Sequence, residues 1–269
     1  MKPFNKKITS LLLIATIAAS CATVPLTGRR QLSLVNEAEI QQQAALAYRD
    51  FLGDSKTKVV KGTAQAEMVQ RVGRNVASAV TRFLQENGYA NQYDFQWEFN
   101  LINEDQINAW CMPGGKVAVY TGILPVTQNE AGLAAVIGHE VAHAIAKHSA
   151  ERMSQSILAQ AGGVAVDVAT AEKSGTTRAV LNTAYGLGGQ LALLSYSRNQ
   201  ESEADRMGLV FMAMAGYDPH EAVRFWERMA QAKQGQGAPP EFLSTHPSDA
   251  RRINNIQRLI PEAMAYYKK

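Results

Sequence analysis

His139-Glu140-Val141-Ala142-His143 is the stretch whose reading decides the fold. Its flanks, Leu133, Val136, Ile137, Ala144 and Ile145, are apolar at helical spacing, so the five residues lie within a helix. Residues four apart share a helix face, and His139 and His143 therefore aim two imidazole nitrogens at one point. Tetrahedral zinc takes two of its protein ligands in this way. Glu140 projects beside that point, where a carboxylate can take a proton from water at the metal. Burying three polar residues in an apolar helix is costly without a partner, and a metal ion supplies one. The alternative, a solvated pair of surface histidines, leaves the apolar flanks unexplained.

Two histidines leave zinc one protein ligand short. Arg198-Asn199-Gln200-Glu201-Ser202-Glu203-Ala204-Asp205 offers it. Glu201 and Asp205 share one face of a predicted helix, while Glu203 points elsewhere. Glu201 can be the third ligand, and Asp205 can hydrogen-bond a ligand imidazole and fix its tautomer. An acidic, solvated helix start is the competing reading. His148 falls off the ligand face and reads as a surface residue or a contact behind a ligand. His220 follows Pro219 at a helix start and reads as structural or solvent-facing. Trp97, Trp226 and the helically spaced methionines read as core. Cys111 has no basic neighbour in sequence, so it is not a candidate nucleophile.

Outward from these motifs the chain is α+β and mostly helical, with a small sheet. Helices are predicted over residues 36–52 and from Thr63 to Gly88, the second carrying the stripe Met68, Val72, Val76, Val80 and Leu84. Tyr93 to Phe99 alternates aromatic and polar residues as a half-buried strand does. Pro113-Gly114-Gly115 is a turn, and Lys116 to Tyr120 a second strand with Val117 and Val119 on one face. Gly114 and Gly115 permit close backbone approach, so this strand is expected to line a cleft and pair with an extended polypeptide. The alternative is an interior strand that packs the core. Asn129 caps a predicted helix that runs through His148. Ala150 to Leu194 is rich in small residues and interrupted by glycines. Ser197 with Gln200 forms a capping box. Further helices are expected at Glu221–Ala232 and Pro247–Ile260, on either side of a loop with Gly235, Gly237, Pro239 and Pro240.

The formal charge is +3, from 27 Lys and Arg against 24 Asp and Glu. Lys2, Lys6 and Lys7 account for all of it, because removing them leaves 24 against 24. No other basic run stands out, so the sequence offers no footprint for nucleic acid. The three lysines instead precede the apolar run Ile8–Ala19, the layout of an export signal. Ala18, Ala19 and Ser20 before Cys21 resemble a bacterial lipobox, which implies cleavage there and lipid on Cys21. The organisation expected is a signal peptide at 1–20, a lipid-anchored tether at 21–35 and one domain at 36–269. Cys111 is then the only other cysteine, which excludes a disulfide within the mature chain. Ala22, rather than Asp, after Cys21 resembles outer-membrane sorting, with the domain facing the periplasm.

The linked motifs, together with Asn108-Ala109, Ser195-Tyr196-Ser197-Arg198, Thr245-His246-Pro247 and Arg252-Ile253, resemble metallopeptidase family forty-eight and its bacterial lipoprotein members. The resemblance runs from about Asn36 to Ile260. It implies a gluzincin-like zincin fold and one zinc ion held by His139, His143 and Glu201. It also implies a zinc endopeptidase with Glu140 as base, acting on polypeptides such as misfolded envelope proteins. Asn108 would then border the substrate. His246 would reach the site, either as a donor to the oxyanion or as the occupant of the open metal position. Arg252 would steady it through Asp205 or Glu201. A non-proteolytic chaperone or assembly factor on the same scaffold is the alternative, and Glu140 argues against it, since binding alone needs no base beside the metal.

Overall fold

The computed structural model describes residues 21–169, 198–234, 242–243, 246 and 250–267. The expected signal peptide, the glycine-interrupted stretch beyond 169, Ser197, the loop at 235–240, Thr245 and Pro247 lie outside the described residues. No helix among those described is long and apolar enough to cross a membrane.

The chain opens with a hairpin of β1 (Cys21–Thr23) and β2 (Arg30–Leu32), in which Cys21 pairs with Leu32. The expected tether is thus ordered, and its Val24 belongs to the main core. Helix α1 (Glu37–Gly53) starts where the Asn36 side chain accepts from the Ala38 amide at 3.0 Å. A short strand β3 (Val59–Val60) leads to α2 (Ala64–Glu86), capped by Thr63. The predicted stripe is its buried face, with Val69 in place of half-buried Met68. Gly88, at φ +75°, ends it.

The sheet has the order β3-β4-β6-β5, with β4 (Glu98–Ile102), β5 (Ala109–Met112) and β6 (Lys116–Tyr120). Strands β4 and β6 are parallel and the other pairs antiparallel. Two expectations are corrected here. Tyr93 to Trp97 is not strand. Its alternation serves a stack of Tyr93, Phe95, Trp97 and Phe99, with neighbouring rings 5.6, 4.5 and 6.1 Å apart. Strand β6 lies between two partners, so its backbone has no free edge and Val117 and Val119 are core. The Gly114 and Gly115 carbonyls already accept from the Gln96 and Glu98 amides, each at 3.0 Å. The main chain of this strand and the two glycine carbonyls are thus already paired within the protein.

After a short α3 (Leu124–Thr127), α4 (Glu130–Ile145) carries the two histidines, capped by Asn129. It ends sooner than expected. Lys147 takes φ +53°, and a new helix α5 (His148–Ala169) starts at His148. Helix α6 spans residues 198–214, α7 is His220–Gln234 and α8 is Ala250–Met264, which continues past Ile260 through Pro261.

Helices α4 and α6 cross at two glycines. A Cβ on Gly138 would lie 2.8 Å from the Gly208 carbonyl oxygen, and one on Gly208 would lie 2.8 Å from the His139 nitrogen. No side chain fits between these backbones. Gly208→Val is expected to cost about 1–3 kcal/mol of stability and to weaken zinc binding at least about tenfold, since it displaces one ligand helix from the other. Thermal melting and chelator competition check this. Unchanged zinc affinity would show that the crossing does not set the ligand spacing.

Candidate metal centre

His139 and His143 leave α4 one turn apart, and the α6 crossing delivers Glu201 against them. His139 Nε2 lies 3.1 Å from His143 Nε2 and 3.4 Å from Glu201 Oε2, and His143 Nε2 lies 3.2 Å from Glu201 Oε1. A fourth donor, His246 Nδ1, sits 3.2 Å from His139 Nε2 and 3.0 Å from both Glu201 oxygens. Donors bound tetrahedrally at about 2.0–2.1 Å are separated by roughly 3.3 Å. Five of the six residue pairs thus stand near that spacing, and the four residues offer ligand atoms that all lie within 4.8 Å of one another, a metal-binding group. Charge agrees with this. Glu140, Glu201 and Asp205 are buried with Arg252. With neutral imidazoles, three carboxylates against one guanidinium leave −2 among these residues, which a divalent cation offsets.

Each ligand imidazole has a partner behind it. His139 Nδ1 lies 3.0 Å from Asp205 Oδ1, so its proton is held there and Nε2 is left as the donor. Arg252 grips Asp205 through Nε–Oδ2 and Nη2–Oδ1 contacts of 2.9 and 2.7 Å and reaches Glu201 Oε2 at 3.1 Å. Its guanidinium lies 3.6 Å over the Trp226 ring. Trp226 is core, and it is also the platform for this arginine. Behind His143 stands His148, with 2.8 Å between the two Nδ1 atoms. His148 in turn meets Glu203 at 3.0 Å, and Glu203 is held by Arg29 at 2.8 Å and by Thr27 at 2.5 Å. His148 is thus a buried contact behind a ligand and not a surface residue.

Glu140 is buried beside the ligands. Its Oε1 has no hydrogen-bond partner among the described residues, although His246 Nε2 is 3.3 Å away. Burial raises its pKa despite the neighbouring imidazoles. Burial also opposes charge on Glu201, but hydrogen bonds with His139, His143 and His246 outweigh it and hold that carboxylate far below its usual range. Asp205 is likewise held low by Arg252 against the effect of burial. The Cys111 thiol is pushed up by burial and by the charge of Glu140, which keeps it inert.

The structure brings together His139, Glu140, His143, Glu201, Asp205, His246 and Arg252. Asn108 is not one of the four donors; its Oδ1 accepts from the Ala109 amide at 2.9 Å. The adjacent Ile107 carbonyl accepts from the Phe242 amide at 3.1 Å, and Phe242 in turn accepts from the His246 amide at 2.8 Å. Sequence reasoning missed His148, Glu203 and Arg29 as a connected set. The break at Lys147, which turns His148 back toward His143, leaves no periodic signal. The same holds for Gly138 and Gly208, whose separation in sequence hides their contact.

A helix bearing both imidazoles, laid on a small mixed sheet and crossed by a helix bearing the carboxylate, is the zincin arrangement. Residues 64–260 match the sequence model of Peptidase family M48, and the chain belongs to that family. It is 35% identical over 241 residues to the mitochondrial metalloendopeptidase OMA1 of Schizosaccharomyces pombe, covering 89% of this chain and 66% of that one. It is 33% identical over 183 residues to the beta-barrel assembly-enhancing protease of Yersinia pestis, covering 65% of this chain and 38% of the relative. Against OMA1 of Saccharomyces cerevisiae the identity is 37% over 180 residues, covering 65% of this chain and 50% of that one. The chain thus spans about two thirds or less of the length of these relatives.

Metal uptake has a pH dependence fixed by His139. Burial disfavours its imidazolium, but hydrogen bonds to Asp205 and Glu201 outweigh that and raise its pKa to about 9. Burial drives His143 well below its usual value. Below pH 9, then, a metal must displace one proton, from His139. Affinity is expected to rise about tenfold per pH unit up to that point, with about one proton released per zinc at pH 7. Calorimetry in buffers of different ionisation enthalpy measures this number. A value near zero would contradict the assignment.

Proposed function

We propose that this chain is a zinc-dependent endopeptidase of the bacterial cell envelope, with His139, His143 and Glu201 as ligands and Glu140 as general base. The observation that carries the reading is the cluster of four donors with, at its side, a buried carboxylate oxygen that has no hydrogen bond among the described residues. Zinc in such a site polarises a carbonyl and acidifies water. Glu140 takes the proton of the attacking water and returns it to the leaving amine. Its burial keeps it basic enough for that work. Asp205 and Arg252 hold His139 and Glu201 in place. His246 Nδ1 fills the fourth corner, which favours the latch over the oxyanion donor. His246 must then leave that position before a peptide can be cut.

Among the described residues the sheet edge beside α4 is β5, so an extended polypeptide would add there by main-chain pairing, with little demand on its sequence. That suits removal of misfolded envelope proteins, and two kinds of named relative, one mitochondrial and one concerned with beta-barrel assembly, are in keeping with a role at a membrane. The leader and Cys21 support lipid anchoring to the outer membrane on its periplasmic side. Because Cys21 opens β1 and Val24 is core, a lipid there would hold the domain close to the bilayer surface.

Glu140→Gln is expected to keep zinc and lose casein hydrolysis by about 10²- to 10⁴-fold. This also separates the peptidase from a chaperone on the same scaffold, which would work unchanged in the variant. In the wild type kcat/KM should fall as pH drops through a value above 4.5, the ordinary glutamate pKa, because the base must be ionised. Wild-type turnover in Glu140→Gln would eliminate it as the base.

His246→Ala is expected to retain zinc and to raise basal turnover of a short peptide severalfold. A loss of turnover with zinc retained would instead assign His246 to the oxyanion.

A further inference from the structure

His143 presents two nitrogens to two different surroundings. Nε2 faces the other metal donors, and Nδ1 faces His148 Nδ1 at 2.8 Å. A neutral imidazole carries one N–H. For Nε2 to bind a metal, the proton must sit on Nδ1, which makes His143 the donor in that contact. His148 Nδ1 must then accept, which puts the His148 proton on Nε2. There it meets Glu203 Oε2 at 3.0 Å. A carboxylate accepts and does not donate, so each proton in the chain has one place.

The outer end of the chain is equally fixed. Arg29 donates to Glu203 through Nε at 2.8 Å and to Glu151 through Nη1 and Nη2 at 2.8 and 2.9 Å. Thr27 Oγ1 donates to the other Glu203 oxygen at 2.5 Å. His148, Glu151 and Glu203 are all buried. Thr27 and Arg29 belong to the turn between β1 and β2, while Glu203 is on α6 and His148 opens α5. Three segments far apart in sequence thus converge behind one metal ligand. His139 is served differently, by Asp205 directly.

We propose that His148 and Glu203 are positioning residues that fix the tautomer and ring orientation of His143, with Thr27 and Arg29 of the N-terminal hairpin as their outer anchor. This rests on the reading of His143 as a metal ligand. It gives the hairpin a function, since it completes the support of the metal centre. It also explains why Glu203, which faces away from the donor cluster, is buried and fully bonded.

The test has two readouts. In zinc-loaded protein, long-range ¹H–¹⁵N correlation should show the His143 Nδ1–H as hydrogen-bonded and slow to exchange with solvent, and His148→Leu should speed that exchange. Chelator competition should show zinc binding weakened about 10- to 100-fold in His148→Leu. His148→Gln should recover most of this, because its amide oxygen can accept from His143 while its NH₂ donates to Glu203. If His148→Leu does not fold, Glu203→Gln carries the same test, with a smaller loss in the same direction. Zinc affinity or His143 Nδ1–H exchange unchanged in the folded variants, or a glutamine variant as weak as leucine, would overturn the relay. Failure of the peptidase reading would look different. The wild type would bind zinc, show the stated tautomer and cut no peptide.

Discussion

Helices α4 and α6 meet backbone to backbone where Gly138 faces Gly208, and the metal centre depends on that approach. Glutamate and histidine side chains are short relative to the diameter of a helix. Donors on two helices can come within about 3.3 Å of each other around one ion only if the helix axes are close. A single Cβ at the crossing would meet backbone at 2.8 Å, and backbone cannot step aside as a flexible side chain can. Close packing then does the rest. Leu133, Val136, Ile137 and Val141 anchor α4 in a core shared with α2, the sheet and α7, so the position of the histidines follows from the apolar face around them.

Concentrating acids in that core has a cost, because buried carboxylates lose hydration. The structure offsets it with fixed partners. Arg252 binds Asp205 bidentately and reaches Glu201, and it is itself held over Trp226. Arg29 binds Glu151 and Glu203 on the opposite side. Arg29 joins an acid of α5 to one of α6, and Arg252, on α8, grips two acids of α6. These contacts therefore fix the relative placement of α5, α6 and α8 as well as the charge. Glu140 is the exception, since one of its oxygens has no hydrogen bond among the described residues. A buried oxygen without a hydrogen bond costs stability, a cost in keeping with the base proposed for Glu140.

Much of the site was legible in the sequence because helical periodicity is a local signal. The spacing of His139 with His143, and of Glu201 with Asp205, places each pair on one face, and the apolar flanks mark α4 as buried. The spacing of Val72, Val76 and Val80 likewise revealed α2. The alternation of Tyr93, Phe95, Trp97 and Phe99 misled, because a stacked aromatic ladder in extended chain has the same period as a strand. Whether a strand lies at the edge or the centre of a sheet depends on partners distant in sequence, so the interior position of β6 could not be read from Lys116 to Tyr120. The relay behind His143 was hidden for the same reason. It joins Arg29, His148 and Glu203 through a helix break at Lys147. His246 and Arg252 were reached by resemblance, since no spacing rule spans the distance from α4 to α8.

Four side chains, with His246 as the fourth, converge on a point where one metal ion could be held. X-ray absorption at the zinc edge of the loaded wild-type protein tests it most directly. A four-coordinate shell of three imidazole nitrogens and one carboxylate oxygen at about 2.0–2.1 Å is expected. A shell with fewer than three imidazoles, or with a sulfur ligand at about 2.3 Å, would contradict it.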